Sequence, residues 1–240
     1  GRSFRFILNG VPVYAKGVNV IPFDNILSDV TPETYRRNLE PAAQANMNML
    51  RVWGGGIYET DEFYRQCDSL GLMIWQDFIF SCTMYPSEGQ LLETMREEFA
   101  DNIRRIRNHP SLALWCGSNE LEYSWASKKL RTMNTQENMD KIWQMYLDQN
   151  KAIHEALDTL CPEICYQPSS PFRGYGKNKS PYEGDYHSWS VLSGSKPITY
   201  FEEGFSRFYS EYGYESFDYY ESLVKYAPRK EDQSIYSDVM

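Results

Sequence analysis

The sequence has no apolar run of about 18 residues, the length a helix needs to cross a bilayer. Its first residues, Gly1-Arg2-Ser3-Phe4-Arg5-Phe6, lack the order of a secretory signal. Basic charge is also short, with 24 Lys and Arg against 33 Asp and Glu and a formal net charge of -9. A nucleic-acid partner needs clustered cations against phosphate. The nearest thing to a cluster, Lys128-Lys129 with Arg131, reads as a solvated face, so neither nucleic acid nor membrane is expected as a partner. There are five cysteines, at positions 67, 82, 116, 161 and 165, without a Cys-x-x-Cys pair or a histidine spacing beside them. A disulfide framework or zinc site is not expected, and no metal is assigned. Gly-x-Gly-x-x-Gly and Gly-x-x-x-x-Gly-Lys-Ser/Thr are both missing, and Gly54-Gly55-Gly56 has the wrong spacing. Dinucleotide and P-loop readings therefore fall, and no cofactor is expected.

What the chain does have is aromatic surface: 15% Phe, Trp and Tyr, including 19 Tyr and 6 Trp in 240 residues. Rings with polar edges suit a sugar-binding cleft, although most of them must fill the core. Along the chain, Phe4 to Leu8, Asn9-Gly10 and Val11 to Val13 read as a hairpin, with Asn-Gly supplying the positive backbone angles of a tight turn. Further strands are expected at 14–19, 49–53, 72–75, 112–116, 164–166, 186–189 and 205–210. Between them lie helices from Pro32 to about Asn46 with Pro41 kinking it, from a Thr60 cap to Gly71, from Leu91 to Arg107, and from Thr135 to Leu160. A polar loop is expected after Glu120 and an irregular one over 171–184, and the residues after Tyr214 look helix-like. Strands and helices alternating at about 30-residue intervals mean parallel strands joined by helical crossovers. Seven such units favour an α/β fold of the (β/α)8 TIM-barrel type, stopping before its eighth strand, as one domain over residues 1–240.

In such a barrel ligands bind at the carboxyl ends of the strands. The fourth barrel strand ends on Asn119-Glu120 and the seventh on Glu211. Two carboxyl groups facing one mouth can cleave an acetal: a protonated one donates to the leaving oxygen while an ionised one attacks the cationic carbon. Arg51, ending the second barrel strand, would hold Glu211 anionic, and that charge would keep the proton on Glu120. Asn119 would hydrogen-bond the hydroxyl next to the reacting carbon. The competing structural reading makes Asn119 and Glu120 a helix N-cap pair, and Arg51 with Glu211 a plain buried ion pair.

Four segments carry a resemblance: Arg51-Val52-Trp53-Gly54-Gly55-Gly56-Ile57-Tyr58-Glu59, Gly71 to Phe78, His109 to Glu120, and Phe208 to Gly213. Together, in order and across nearly the whole chain, they resemble glycoside hydrolase family 2, and within it the catalytic barrel of β-mannosidases. The resemblance implies a retaining exo-glycosidase acting on terminal β-D-mannosides, with Glu120 as general acid/base and Glu211 as nucleophile. It matches Asn119, Arg51 and Trp53 to sugar-contacting or nucleophile-supporting positions, and His187 and Trp189 to the lining of the same pocket. Asp77 is placed at the rim and Trp125 as a wall of the pocket or a cover for the loop after Glu120. Ser118 and Leu121 depart from the mannosidase pattern, and the departure concerns the pocket rim rather than the two carboxylates. The family also carries β-sandwich domains before the barrel and an eighth strand after it, so the chain is expected to be a piece of a longer protein whose sandwich domains pack against the barrel.

Two other classes remain open at this point. The same chemistry could act on another β-linked sugar, a glucuronide, galactoside or glucosaminide. A barrel that binds sugar without turnover would explain the aromatic surplus and the missing strand, and a metal-dependent hydrolase lacks clustered ligands. For the native compartment the lean is to a degradative one such as periplasm or lysosome.

Overall fold

The computed structural model describes residues 4–177, 180–214 and 219–240. The chain divides into two units, Gly1–His187 with Phe205–Ser210, and Ser188–Gly204 with Glu211–Met240.

The first unit opens with the expected hairpin: β1 (Phe6–Leu8) and β2 (Val11–Val13) pair antiparallel, and Asn9 and Gly10 take φ of 50° and 81° between them. Then comes a five-stranded parallel sheet in the order β3 (Gly17–Val20), β4 (Met49–Val52), β5 (Met73–Asp77), β6 (Leu112–Cys116) and β7 (Tyr166–Gln167). The helices α1 (Pro32–Gln44), α2 (Asp61–Leu70), α3 (Gly89–Ile106), α4 (Leu121–Ala126), α5 (Lys128–Met133) and α6 (Gln136–Leu160) fall between these strands. β3, β4, β5 and β6 run side by side in sequence order, with Asn19 beside Arg51 and Arg51 beside Trp75. Helices connect parallel neighbours because a parallel pair cannot be joined by a tight turn.

Apolar runs such as Met49-Leu50 and Leu112 to Cys116 arise because the strands are covered on both faces. Outward side chains, among them Leu50, Ile74 and Trp115, pack with Phe63, Phe99, Ile103, Ile153 and Leu157 of the helices. Inward ones, Trp75, Leu114 and Cys116, form a second core with Phe4, Phe6 and Phe208. The Phe4 ring lies 5.6 Å from Trp75 and 4.8 Å from Phe208, so the amino-terminal segment covers the inner core.

Seven strands in one ladder were expected, and the structure differs. The hydrogen-bonded sheet stops at β7, and β8 (Tyr186–Ser188) and β9 (Tyr209–Tyr212) lie outside it. Side chains bridge the interruption within the first unit. Gln167 Nε2 and Ser170 Oγ donate to the Asp185 carboxylate ahead of β8, at 2.9 and 2.6 Å. Asn19 Nδ2 of β3 donates to the Ser210 carbonyl of β9 at 3.0 Å, and the Tyr186 N–H to the Phe208 carbonyl at 2.9 Å.

α1 carries Pro41 inside it and runs on to Gln44, close to the expected end near Asn46, because a proline late in a helix removes only one hydrogen bond while Tyr35 and Leu39 stay buried. Two local expectations are corrected. Thr60 stands at the N-cap of α2 as expected, but its side chain makes no capping bond; its hydroxyl donates to Tyr35 Oη instead. The stretch after Glu120 is not a loop but α4 and α5, the second capped by the Ser127 side chain on the Leu130 N–H.

In the second unit, α7 (Tyr200–Glu203) and α8 (Tyr220–Tyr226) are short, and Leu223 and Ala227 are buried. No described helix is long and apolar enough to cross a membrane.

Candidate active site

Gly117 lets the end of β6 pass close to the segment after β7, since a Cβ there would fall on the Pro168 carbonyl oxygen and the Tyr166 hydroxyl. Beyond it Asn119 forms isolated parallel bridges with Ser81 and with Ser170. Glu120 then takes φ 57° and ψ 20°, the left-handed region that favours glycine. It stands at the N-cap of α4, yet its side chain makes no capping bond. The N-cap reading of the Asn-Glu pair thus describes the backbone of Glu120 and not the side chain of either residue.

The Glu120 carboxyl is held elsewhere. Oε1 lies 2.6 Å from His187 Nδ1, and the Cys82 thiol donates to Oε2 at 3.8 Å. His187 Nε2 lies 3.0 Å from Ser170 Oγ, and Ser170 Oγ donates to Asp185 Oδ2 at 2.6 Å. A carboxyl, an imidazole, a hydroxyl and a second carboxylate form one row of hydrogen-bonded groups. Neither Ser170 nor Asp185 is a candidate from sequence alone; the only signals are their positions, one just past β7 and one just before β8.

Beneath this row sits a charge network. Arg51 is 4% exposed and grips Asp77 with two bonds, Nε to Oδ1 at 3.2 Å and Nη2 to Oδ2 at 2.8 Å. Asp77 is fully buried and so is not at a rim; it also accepts from Trp75 Nε1 at 2.8 Å and from the Gly54 N–H at 2.9 Å. A buried ion pair is tolerated when further hydrogen bonds fill its remaining sites, as these do. Arg51 Nη2 also donates to Asn119 Oδ1 at 2.9 Å and Nη1 to Asn19 Oδ1 at 3.2 Å. The contact with Asn119 orients its amide, turning Nδ2 toward Ser81 Oγ at 3.3 Å. Trp53, just past β4, is half-buried and ties its N–H to the Val20 carbonyl.

A cavity of about 500 Å³ opens beside Glu120, lined by Glu122, Tyr123, Trp125, Arg131 and Arg173 among others. Trp125 contributes to its wall while also packing on Trp143 at 4.4 Å, under the Arg131 guanidinium at 4.5 Å. Burial pushes the Glu122 carboxyl up to about 7, against the opposing hydrogen bonds from Tyr146 and the Gly176 N–H.

In the second unit Glu211 is buried, and Trp189 Nε1 donates to its Oε2 at 3.3 Å. Glu211 lies within β9, not beyond its end as the sequence suggests. An acceptor held by an indole N–H is kept in one orientation, which is what a nucleophilic or charge-bearing carboxylate needs. The sequence-predicted residues Arg51, Asp77 and Asn119 are joined in one network of the first unit, and Glu120 with His187 in another. Trp189 and Glu211 form a pair in the second.

Comparison with known proteins agrees with this architecture. Beta-mannosidase B of Emericella nidulans is 36% identical over 247 residues, spanning 100% of this chain and 29% of that protein. Beta-mannosidase of Rattus norvegicus is 39% identical over 98% of this chain and 27% of its own length. The crystal structure of beta-D-mannosidase from Dictyoglomus thermophilum superposes with a TM-score of 0.83 at 38% identity, covering 94% of this chain and 27% of that one. The chain therefore spans under a third of the length of these relatives. A family model, glycosyl hydrolases family 2, TIM barrel domain, matches residues 2–172. With a parallel sheet wrapped in helices and a carboxyl presented at the end of β6, the chain belongs to the TIM barrel domain of glycosyl hydrolase family 2.

Proposed function

We propose that this chain is the catalytic barrel of a retaining exo-β-mannosidase in which Glu120 is the general acid/base and Glu211 the nucleophile. The observation that carries the reading is the Glu120 carboxyl, aimed from the end of β6 and held at 2.6 Å by a buried histidine, in a barrel whose relatives are β-mannosidases. In the first step Glu120 protonates the glycosidic oxygen as the Glu211 carboxylate attacks the anomeric carbon. In the second, Glu120 takes a proton from the water that displaces Glu211. Asn119, turned by Arg51, offers its amide to the hydroxyl beside the reacting carbon, and Trp53, His187, Trp189, Trp125 and Asp77 line or support the pocket. Further domains, β-sandwiches by resemblance, complete the protein and pack against this barrel.

The test uses the full-length protein and a panel of nitrophenyl β-glycosides. Fastest turnover on the mannoside is expected, with a product that retains its anomeric configuration by NMR. Glu211→Gln should remove about 10⁴-fold or more of the activity, and Glu120→Gln about 10²- to 10⁴-fold on substrates with poor leaving groups. Carboxyl groups about 5 to 5.5 Å apart in a crystal structure fit retention, whereas about 9 Å fits inversion. Preference for a glucuronide or galactoside would replace mannose with that sugar. Tight binding without cleavage would turn the protein into a lectin-like barrel, and loss of activity with a chelator would bring back a metal-dependent reaction.

A further inference from the structure

We propose that Ser170 and Asp185 are positioning residues that hold His187 with its proton on Nε2, so that the Nδ1 lone pair faces Glu120 and the carboxyl retains the proton it delivers. The proposal rests on Glu120 being the acid/base. Asp185 is buried and its two oxygens take four donors: Gln167 Nε2 at 2.9 Å and the Phe172 N–H at 2.8 Å on Oδ1, Ser170 Oγ and Ser210 Oγ, each at 2.6 Å, on Oδ2. The Phe172 N–H can only donate, and Gln167 Nε2 is fixed as a donor because it also donates to the Ser169 carbonyl at 2.7 Å, so both partners of Oδ1 are donors. Ser170 Oγ also lies 3.4 Å from Ser210 Oγ, but its single hydroxyl proton serves the much shorter 2.6 Å bond to Asp185, to which Ser210 donates as well. Toward His187 Nε2, 3.0 Å away, the Ser170 oxygen only accepts, and Nε2 must carry a hydrogen.

The consequence appears at the other ring nitrogen. With Nε2 protonated, a neutral imidazole presents a lone pair at Nδ1, 2.6 Å from Glu120 Oε1, and that lone pair accepts the carboxyl proton. The opposite tautomer would place an N–H there and hold Glu120 as a carboxylate with nothing to donate. Ser170 and His187 are both at most 1% exposed, so bulk water does not reach their contact to reorder it. Proton balance is kept within the reaction. One proton passes from Glu120 to the glycosidic oxygen as the carbon–oxygen bond breaks. One returns to Glu120 from water as the covalent intermediate is hydrolysed, and His187 neither gains nor loses a proton over the cycle.

The experiment pairs two readouts on the full-length protein. First, ¹⁵N NMR of histidine-labelled protein, with His187 assigned by His187→Gln, reads the tautomer without any substrate. A proton on Nε2 and a lone-pair shift at Nδ1 are expected, and a neutral ring protonated at Nδ1 would overturn the proposal. Second, kcat/KM is compared on 2,4-dinitrophenyl β-mannoside, whose leaving group needs no proton, and on a β-mannobioside, whose leaving group does. Ser170→Ala should lose about tenfold or more on the mannobioside and stay within about threefold on the dinitrophenyl substrate, with Ser170→Thr restoring the ratio. Asp185→Asn, whose amide turns the Ser170 hydroxyl round, should show the same selective loss. Equal loss on both substrates in a folded Ser170→Ala protein would make the role structural and sink the idea. If the unmodified protein cleaves no β-glycoside, the functional reading fails by itself, and the NMR tautomer still decides the positioning.

Discussion

Glu120 occupies the left-handed backbone region at φ 57°, where a residue with a Cβ loses about 1 kcal/mol. Strain of this kind persists where surrounding contacts over-determine it, and here Ser170 O accepts the Glu120 N–H at 2.8 Å while His187 holds the carboxyl. Arg51 and Asp77 form a buried ion pair. Asp77→Asn would take from the buried guanidinium the carboxylate that grips it twice, and a fall in stability of about 3 kcal/mol is expected from urea unfolding. Glu122 makes the opposite kind of claim. Burial raises its folded-state proton affinity to about 7 from the ordinary 4.5, so the native state keeps a proton that the unfolded chain has already lost. Stability is then full below about pH 4.5 and declines as pH rises to about 7, by on the order of 3 kcal/mol. Glu122→Gln should flatten that decline, measured as the difference in urea midpoint between pH 5 and pH 8. At this scale the sequence reveals Glu120, Asn119 and Arg51, because unusual polar residues end apolar runs. It hides Ser170 and Asp185, since a serine in a Pro-Ser-Ser loop and an aspartate before a short strand look like ordinary turn residues.

Among the elements, the helices are the most legible because their signals are local. Thr31 accepts from the Thr34 N–H while the Thr34 hydroxyl accepts from the Thr31 N–H, a reciprocal cap ahead of Pro32. Thr31→Ala is expected to cost about 1 kcal/mol in thermal unfolding. Gly71 closes α2 at φ 68°, as its position after the last apolar residue implies. Thr60 is the instructive failure. Its residue type and place fit a cap, but Tyr35 from α1 lies close enough to take its hydroxyl, and Tyr35 in turn donates to the buried Glu59. Tertiary contact overrode a local preference. α4 and α5 escape detection for a related reason: six residues each is less than two turns, too short for periodicity to register.

For the first unit taken as a whole, strand order from β3 to β7 follows chain order, as helical crossovers require, and this much is in the sequence. Where the backbone ladder lapses, single side chains tie the sheet to the β8 and β9 segments. Asn19 reaches across 191 residues to the Ser210 carbonyl while also receiving Arg51. Asn19→Ala should therefore speed amide hydrogen exchange around Tyr209 and Ser210, while β4, β5 and β6 exchange only with global unfolding; equal protection in both proteins would count against that tie. The sequence by itself determined the alternation of strand and helix, the parallel sheet, the absence of nucleotide-binding motifs and the candidate carboxyls. These depend on periodicity and on chemistry carried by neighbouring residues. Only the tertiary structure decided that Arg51 grips Asp77, that the sheet stops at β7, and that Glu120 meets a histidine backed by Ser170 and Asp185. Each of those pairings joins residues 15 or more positions apart, and which of many equivalent polar groups meet is set by how the strands lie against one another, a quantity no local pattern encodes.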